Sequence, residues 1–333
     1  MRAGPGAATL SRLHLESLDD LSTEHPWWGE LAQRSGNLFA TQEWLAAWSR
    51  HLGDDHELLA CTARTEPGAE PFAVLALCRS PGGPLRFMGH TDSDRLAPVC
   101  APEDRALAAV ALRQALDLRA PGWESFLAED LPAEEGWGHL LPGSAVAREH
   151  SPALALAGLT WDDWLATRSH NMREQVRSRE RRLRRAHDVR VRISDHQTLE
   201  ADLDALVRLH DLRWEGAAGT YHGPRGAHHR EFARTALERG WLRLRVLECD
   251  GRPVAALHAF RFGDAEWYYQ AGRDPAFDRW RVGFVLLVCA IREAMEDGLR
   301  EFRFLRGAEP YKRRFADRDD GLLTIRIESD RRS

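Results

Sequence analysis

The sequence is short of lysine. Among its 46 basic residues only Lys312 is a lysine, and all the others are arginine. A guanidinium is a planar fork that stays charged, whereas an ammonium is a compact point charge whose pKa can shift. A base composition that favours arginine codons explains the general shortage. The one remaining lysine therefore indicates either chance or a position where arginine would not serve.

Cysteine is also scarce, and metal-binding spacings are missing. The five cysteines are odd in number and widely spaced, without a C-x-x-C pair, which disfavours a disulfide framework. His228 and His229 are adjacent, so they cannot share a helix face, and no H-E-x-x-H is present. We therefore expect reduced thiols, a cytoplasmic location and no metal.

Long apolar runs are absent as well. No stretch approaches the ~20 apolar residues that a membrane helix requires. The N-terminal residues lack the uninterrupted apolar segment of a signal peptide. The net charge of −5 gives no general attraction to nucleic acid. A chain of 333 residues, 43% hydrophobic and 29% charged, predicts a soluble protein of two domains with no membrane partner.

The most informative stretch begins at Trp241. Apolar residues alternate with arginines from Leu242 to Val246, which is the period of a half-buried strand. Asp250-Gly251 and Gly263-Asp264 are turn signals between apolar runs. We predict an antiparallel meander of three strands, Trp241–Glu248, Pro253–Phe262 and Ala265–Gly272.

A helical period follows the meander. Gly283 opens an apolar run that continues to Met295, and Gly298 stands where a helix C′ residue belongs. Glu301–Leu305 then returns as a short strand, which completes a βαβ unit. The N-terminus of such a helix offers free amides and a positive dipole end to a phosphate group. We therefore expect a phosphate-bearing ligand near Gly283.

A strongly basic helix is predicted upstream, over residues 168–192. This segment holds ten arginines against three acidic residues, with a thin apolar stripe at Met172, Val176 and Leu183. Such a run is either a solvated helix face or a clamp for the phosphates of CoA, of a nucleotide-linked substrate or of tRNA. Aromatic residues for base stacking are not interleaved with these arginines.

The first half of the chain has a predicted order of strands and helices similar to that of the second half. Strands are predicted at Leu58–Ala63, Phe72–Cys78, Leu85–Gly89 and Trp123–Ala128, with an amphipathic helix at Ala106–Leu118. We therefore predict an α/β protein with a first domain at 1–150, lacking obvious cofactor chemistry, and a second domain at 151–333.

Three segments and the meander together resemble a known superfamily. FATQEWLAAW (39–48), LVRLHDLRW (206–214) and RGAEPYKRRF (306–315) are similar to the GNAT acyltransferases of the CelD/BcsL type, relatives of the Fem aminoacyl-tRNA-dependent ligases. The resemblance extends from about Phe39 to Ile327. The phosphate-binding signature of the superfamily keeps only Gly283 in register, because Trp280 and Val285 replace its other residues.

The resemblance implies tandem GNAT-like domains, each with a mixed, mostly antiparallel sheet flanked by helices. It implies an N-acyltransferase that moves an acetyl or other acyl group from CoA to an amine of a small-molecule or sugar-type acceptor. The alternatives are a Fem-like transferase with aminoacyl-tRNA as donor, which would make tRNA a partner, and a non-catalytic module that binds phosphate or RNA.

Such a transfer requires a base for the amine, a donor for the oxyanion and an acid for the leaving group. Tyr311 is the candidate acid, and Lys312 is the candidate charge neutraliser. His210, beside the glycine-rich loop GAAGTYHGPRG (216–226), is the candidate base. Asp274 could have an orienting role or accept a proton. Each also has a structural alternative, such as packing or turn formation. The expected donor contacts are Gly283, Phe284, Val285, Arg281 and Arg306, and the expected substrate contacts are Arg213, Trp214 and Tyr269.

Overall fold

The computed structural model of the chain describes residues 13–214 and 219–329. These residues divide into two compact units. The first comprises the residues up to 49, residues 53–148 and the segment from 322 onward; the second comprises 50–52 and 149–321. Both contain sheets flanked by helices, which confirms the predicted α/β class.

The first part of the chain is a series of short strands interrupted by four helices. In chain order these are β1 (His14–Ser17), α1 (Pro26–Ser35), α2 (Gln42–Leu52), β2 (Glu57–Leu58), β3 (Cys61–Arg64), β4 (Ala73–Leu75), β5 (Leu77–Arg79), β6 (Leu85–Phe87), β7 (Val99–Cys100), α3 (Arg105–Arg119), β8 (Ser125–Pro132), α4 (Trp137–Leu140) and β9 (Ser144–Glu149).

The second part has longer helices and the predicted meander. Its elements are β10 (Pro152–Ala155), α5 (Trp161–Thr167), α6 (His170–Ala186), β11 (Val189–Ile193), α7 (Leu199–Trp214), α8 (Gly223–Glu238), β12 (Leu242–Cys249), β13 (Arg252–Phe262), β14 (Ala265–Arg273), α9 (Val282–Glu296), β15 (Glu301–Arg303), α10 (Pro310–Arg313), β16 (Arg318–Asp319) and β17 (Leu322–Glu328).

The first unit is built on two sheets, with strand orders β1-β3-β4-β7 and β2-β5-β6-β8-β17-β9. The predicted strands Leu58–Ala63 and Phe72–Cys78 are each divided between these sheets. Their inner halves β3 and β4 pair in one sheet, whereas β2 and β5 pair in the other. Helix α3 covers the shared core with its buried alanine and leucine face.

The last strand corrects the expected domain boundary. The sequence placed all residues after 150 in the second domain. In the structure β17 pairs antiparallel with β8, and Ile325 and Ile327 are buried in the core of the first unit. The apolar residues that alternate along this strand can be buried only if the strand pairs with the free edge of a sheet that covers a core. The edge of strand β8 provides that position.

The second unit is organised around one sheet of order β11-β12-β13-β14-β15-β10-β16. β12, β13 and β14 form the predicted antiparallel meander, and β14 then pairs parallel with β15. Helix α9 makes the crossover between those two strands, as predicted for the βαβ unit. Its apolar residues are buried on all but one side, because the sheet, α6 and α5 pack around it.

The alternation of apolar residues and arginines along β12 predicts the wrong environment for one arginine. Arg245 on β12 was expected on the exposed face, but its side chain is completely buried. It forms an ion pair with Glu266, equally buried, and its Nε donates to Glu293 at 2.7 Å. A buried guanidinium is tolerated only with such partners.

The predicted basic helix is shorter than expected. Helix α6 ends at Ala186, and Val189–Ile193 form β11 at the edge of the sheet instead. The glycine-rich loop 216–226 falls partly outside the described residues, and its last four residues belong to α8. Among the described residues, no helix combines the length and apolar character needed to cross a bilayer.

Candidate functional site

A cavity of about 400 Å³ opens in the second unit where β14 meets the start of α9. It has an apolar interior and a rim of arginines. Its lining residues are Arg179, Arg213, Ala256, Leu257, Tyr268, Ala271, Gly272, Arg273, Asp278, Arg281, Gly283, Phe284, Leu286, Leu287, Tyr311, Arg314 and Phe315.

The cavity exists because two neighbouring strands diverge. β14 pairs with β15 only over Ala265–Trp267, opposite Glu301–Arg303. Beyond this point the chain turns away from β14 through Leu305 and Gly307, which both have positive φ (59° and 126°). The rest of β14, from Tyr268 to Arg273, therefore lacks β15 as a partner on that side. The open edge offers backbone groups to an extended ligand.

The N-terminus of α9 faces the cavity. Arg281 occupies the N-cap position in a left-handed conformation (φ 55°), and no side chain caps the helix there. Gly283 lines the cavity, and a Cβ atom at this position would contact only Cδ of Arg273, at 3.6 Å. The first amides of the helix and its positive dipole end are thus available to an anion.

Besides Arg281 at the helix N-cap, arginines from four other segments line the cavity. Arg179 comes from α6, Arg213 from α7, Arg273 from β14, and Arg314 follows α10. Burial lowers the pKa of Arg179, and the guanidinium groups of Arg314, Arg281 and Arg182 lower it further. The one carboxylate of the lining, Asp278, pairs with Arg273 at 2.7 Å. This cluster of like charges is stabilised when an anion binds among them.

Tyr311 lies at the inner end of the cavity. Its hydroxyl donates to the hydroxyl of Tyr268 at 3.2 Å. Burial raises the pKa of Tyr311 far above its ordinary value, and Tyr268 raises it further. Tyr311 is therefore protonated at neutral pH, as required of a proton donor. Nearby, Arg213 donates from Nη1 to the carbonyl of Ala271 at 2.9 Å.

The structure places Lys312 away from the cavity, although it follows Tyr311 directly. Its side chain is buried; Nζ donates to the carbonyl of Arg306 at 2.5 Å and pairs with Glu309 at 3.0 Å. A Cβ atom on Gly307 would lie 2.9 Å from Nζ, so the ammonium occupies a tight backbone loop. We expected a neutralising charge at the reacting centre; the geometry indicates instead that Lys312 positions the segment that carries Tyr311.

His210 and Asp274 also lie outside the cavity lining. His210 is buried on α7 against Tyr221, with ring centroids 5.1 Å apart, and burial lowers its pKa. Asp274 accepts the amide of Ala276 at 2.9 Å and pairs with Arg252 at 2.6 Å, which is the structural role of a turn-forming aspartate. The structure does not bring these two side chains together with Tyr311.

The expected ligand contacts divide into two groups. Gly283, Phe284, Arg281 and Arg213 line the cavity. Four others do not. Val285 is buried in the core, Arg306 contributes its carbonyl to the Lys312 loop, Trp214 is 40% exposed, and Tyr269 packs against His229 and His258.

Sequence reasoning missed Tyr268, Arg273 and Arg314. The register of β13 and β14 shifts between His258, which is opposite Gln270, and Ala259, which is opposite Tyr268, so Tyr269 is the extra residue of β14. This β-bulge changes which of two adjacent tyrosines faces the cavity, and simple alternation cannot show it. Arg314 belongs to the segment 306–315, whose resemblance to the GNAT acyltransferases was the sequence signal that could have identified it.

Residues 170–313 match the family model described as acetyltransferase (GNAT) domain. No curated protein sequence matches the chain significantly.

Several solved structures share the fold over nearly the whole chain. FemX is similar with a TM-score of 0.62 and 10% identity, covering 92% of this chain and 95% of FemX. L-PGS from Bacillus licheniformis has a TM-score of 0.55 and 13% identity, covering 87% and 92%. A tandem GNAT protein from the clavulanic acid biosynthesis pathway has a TM-score of 0.51 and 14% identity, covering 95% and 98%.

Proposed function

We propose that this chain, whose residues 170–313 match the model of the acetyltransferase (GNAT) domain, transfers an acyl group from acyl-CoA to an amine of a small-molecule or sugar-type acceptor. One observation carries the proposal. An uncapped helix N-terminus, an arginine cluster and the open edge of β14 converge on a single cavity that also contains Tyr311. The five free thiols are consistent with action in a reducing cytoplasm.

The donor fits the cavity in a definite direction. Its pyrophosphate binds at the amides near Gly283, where Arg179 and Arg314 add positive charge. The pantetheine arm then lies along the open edge of β14 and replaces the missing strand pairing. The thioester thereby reaches the two hydroxyl groups of Tyr268 and Tyr311, which are 3.2 Å apart.

The chemistry follows from that placement. The neutral amine attacks the thioester carbonyl and forms a tetrahedral oxyanion. Collapse of this intermediate forms the amide, breaks the C–S bond and releases the CoA thiolate. Tyr311 donates its phenolic proton to the thiolate, and the proton lost by the amine restores the phenol through solvent. Neither His210 nor Asp274 is among the residues that line the cavity. This mechanism therefore assigns them no proton transfer, and the acceptor enters as the free amine.

A second donor is favoured by one specific feature. Outside the cavity, α6 presents Arg177, Arg181, Arg184 and Arg185 to solvent beside Arg292 of α9. No residue of α6 lines both this outer face and the cavity. An aminoacyl-tRNA, as used by the Fem-like ligases that the sequence resembles, would place its backbone there.

Substitution of two arginines of α6 can distinguish between the two donors. Arg179 lines the cavity, whereas Arg181, two residues and about 200° further round the helix, lies on the outer face. With CoA at 100 times its dissociation constant, we expect stabilisation of about 2.7 kcal/mol. Arg179→Gln should weaken CoA binding, and the matched control Arg181→Gln should leave it unchanged; the measurement is a thermal shift with acetyl-CoA.

The decisive experiment offers both donors to the same enzyme with a panel of amines. Product from acyl-CoA supports the proposal. Product only from aminoacyl-tRNA, with salt-sensitive binding that both α6 variants weaken, assigns the second donor. A protein that binds CoA or RNA but yields product from neither donor is the non-catalytic module, and the proposal fails.

A further inference from the structure

Three metal-ligating side chains come together in the first unit, outside the cavity described above. They are His56, Cys78 and His90, and one ligand atom from each lies within 4.8 Å of the other two. The described residues contain no other such group. Nothing in the proposed acyl transfer uses these residues.

The fold brings them together from separate elements. His56 directly precedes β2, and Leu58 of that strand pairs with Cys78 of β5. His90 follows β6, the other neighbour of β5. The ligands are separated by 22 and 12 positions in the chain, so no recognisable metal motif exists in the sequence.

The loop that carries His90 is held in an unusual conformation. Thr91 has φ 77°, which is a rare value for a β-branched residue, and Gly89 before His90 has φ 85°. Backbone strain of this kind persists only where the surroundings enforce it, and it concentrates at ligand sites. In this loop the His90 ring lies beside that of His56, with centroids 5.2 Å apart.

The separation of the two histidine nitrogens is close to that in a tetrahedral zinc site. Nε2 of His56 and Nε2 of His90 are 3.1 Å apart. Two nitrogens at ~2.0–2.1 Å from zinc, at a tetrahedral angle, are about 3.3 Å apart. The two ring nitrogens, which contact each other in this structure, are thus spaced as zinc ligands are. The thiol of Cys78, whose sulfur lies within 4.8 Å of a ligand nitrogen of each histidine, supplies the third position.

The surroundings are partly dry and open on one side. The Trp48 ring packs against both imidazoles, with centroids 5.3 Å from His56 and 5.6 Å from His90. His90 is buried, with 9% of its surface exposed. His56 is only partly buried, which leaves a path for an ion to enter.

The charge balance around the thiol is nearly neutral. The two charged side chains that act electrostatically on Cys78, Arg86 and Glu129, have opposite signs. Arg86 is itself paired with Glu129. An entering cation therefore meets no uncompensated positive charge, and on binding it replaces the thiol proton, which passes to the buffer.

We infer that His56, Cys78 and His90 form a binding site for Zn²⁺ that ties the His90 loop to strands β2 and β5. Two imidazoles and one thiolate suit zinc and disfavour the hard ions Mg²⁺ and Ca²⁺. A tetrahedral ion with three protein ligands keeps one position for solvent. The site is independent of acyl transfer, so failure of either proposal leaves the other intact.

The test uses the full chain after treatment with a chelator. Titration with Zn²⁺ should show one ion bound per chain and a raised melting temperature, whereas Mg²⁺ should do neither. Cobalt(II) in place of zinc should give a thiolate-to-metal charge-transfer band. Cys78→Ser should abolish that band and weaken zinc binding by about 100-fold or more, since even loss of an outer-sphere partner costs ~10- to 100-fold.

Two further variants make the result decisive. Cys61→Ser removes a thiol that is equally buried in the first unit but lies in the other sheet, and it should leave the cobalt band and the affinity unchanged. His56→Gln changes a partly exposed residue, so it should fold normally and still lose affinity. Absence of stoichiometric zinc binding, or zinc binding that survives both Cys78→Ser and His56→Gln, overturns the inference.

Discussion

Tyr311 is the residue on which the proposed chemistry depends most directly. Tyr311 lines the cavity, and its phenol is protonated at neutral pH, with a pKa that burial raises above its ordinary value. We expect Tyr311→Phe to lower kcat by about 10²- to 10⁴-fold, the usual contribution of a general acid, with little change in the KM for the donor. Steady-state kinetics with the productive donor provides the measurement.

The control for that prediction is the partner tyrosine. Tyr268→Phe removes the hydroxyl 3.2 Å away but leaves the proton of Tyr311 in place. Its effect on kcat should be smaller than that of Tyr311→Phe. If both variants keep full kcat, neither phenol donates a proton in the rate-determining step.

The single lysine can be explained by its surroundings. Lys312 fits its ammonium between the carbonyl of Arg306, Glu309 and the backbone at Gly307. A larger, planar guanidinium overfills that space. We expect Lys312→Arg to destabilise the protein by about 1–3 kcal/mol and to lower kcat through displacement of Tyr311.

A reverse exchange at the adjacent position is the matched control. Arg313 is exposed, so Arg313→Lys should change neither urea denaturation nor kcat. Lys312→Arg with unchanged stability and full activity would show that the lysine survives by chance.

At the level of elements, the packing of α7 on β14 fixes the inner wall of the cavity. Gly272 makes this packing possible, because a Cβ atom there would lie 2.3 Å from the His210 amide nitrogen and 2.4 Å from the Leu209 carbonyl carbon. These are backbone atoms of a helix and cannot move singly. Gly272→Ala should destabilise the protein by about 1–3 kcal/mol or more, measured by urea denaturation.

Gly283→Ala is the control for Gly272→Ala, because it also replaces a glycine by alanine but without the steric clash. A Cβ atom at 283 meets only a flexible side chain at 3.6 Å, and alanine is the better helix former by about 0.5–1 kcal/mol. The protein should keep or gain stability. A Gly272→Ala variant as stable as Gly283→Ala would contradict the close packing of α7 on β14.

The elements that could be predicted from the sequence are those with local signals. The meander and α9 follow from period-2 and period-3.6 patterns between glycine turns, and the structure confirms both. The end of α6 and the burial of Arg245 could not be predicted. Both depend on partners far along the chain, namely β12 for Val189–Ile193 and Glu266 for Arg245.

At the scale of the whole molecule, the site and the division into units are non-local properties. The five arginines of the cavity come from five segments, and only the approach of those segments reveals that Arg179 faces inward. The return of β17 to the first unit likewise depends on a free edge of β8. Sequence patterns define faces of elements, but they do not define which faces meet.

The buried histidines of the second unit should make its stability sensitive to acid. Burial lowers the pKa of His258 to about 3, lowers that of His229 strongly and also lowers that of His210. Below the ordinary histidine pKa of ~6.5 the unfolded chain therefore binds protons that the folded protein does not. The free energy of unfolding should fall as the pH falls from about 6.5, by up to ~1.4 kcal/mol per pH unit for each such histidine.

His258→Gln tests this argument through the slope of the free energy of unfolding against pH. Glutamine can still pair with the hydroxyl of Tyr221, which lies 2.9 Å from Nδ1 of His258. Between about pH 6.5 and pH 4.5, the slope should decrease by about one proton, whatever the stability at neutral pH. The exposed His196→Gln serves as the control and should keep the slope of the original protein. The carboxylates titrate mainly below this range. An unchanged slope in His258→Gln would therefore mean that His258 takes up its proton in the folded state, and that water reaches this buried histidine.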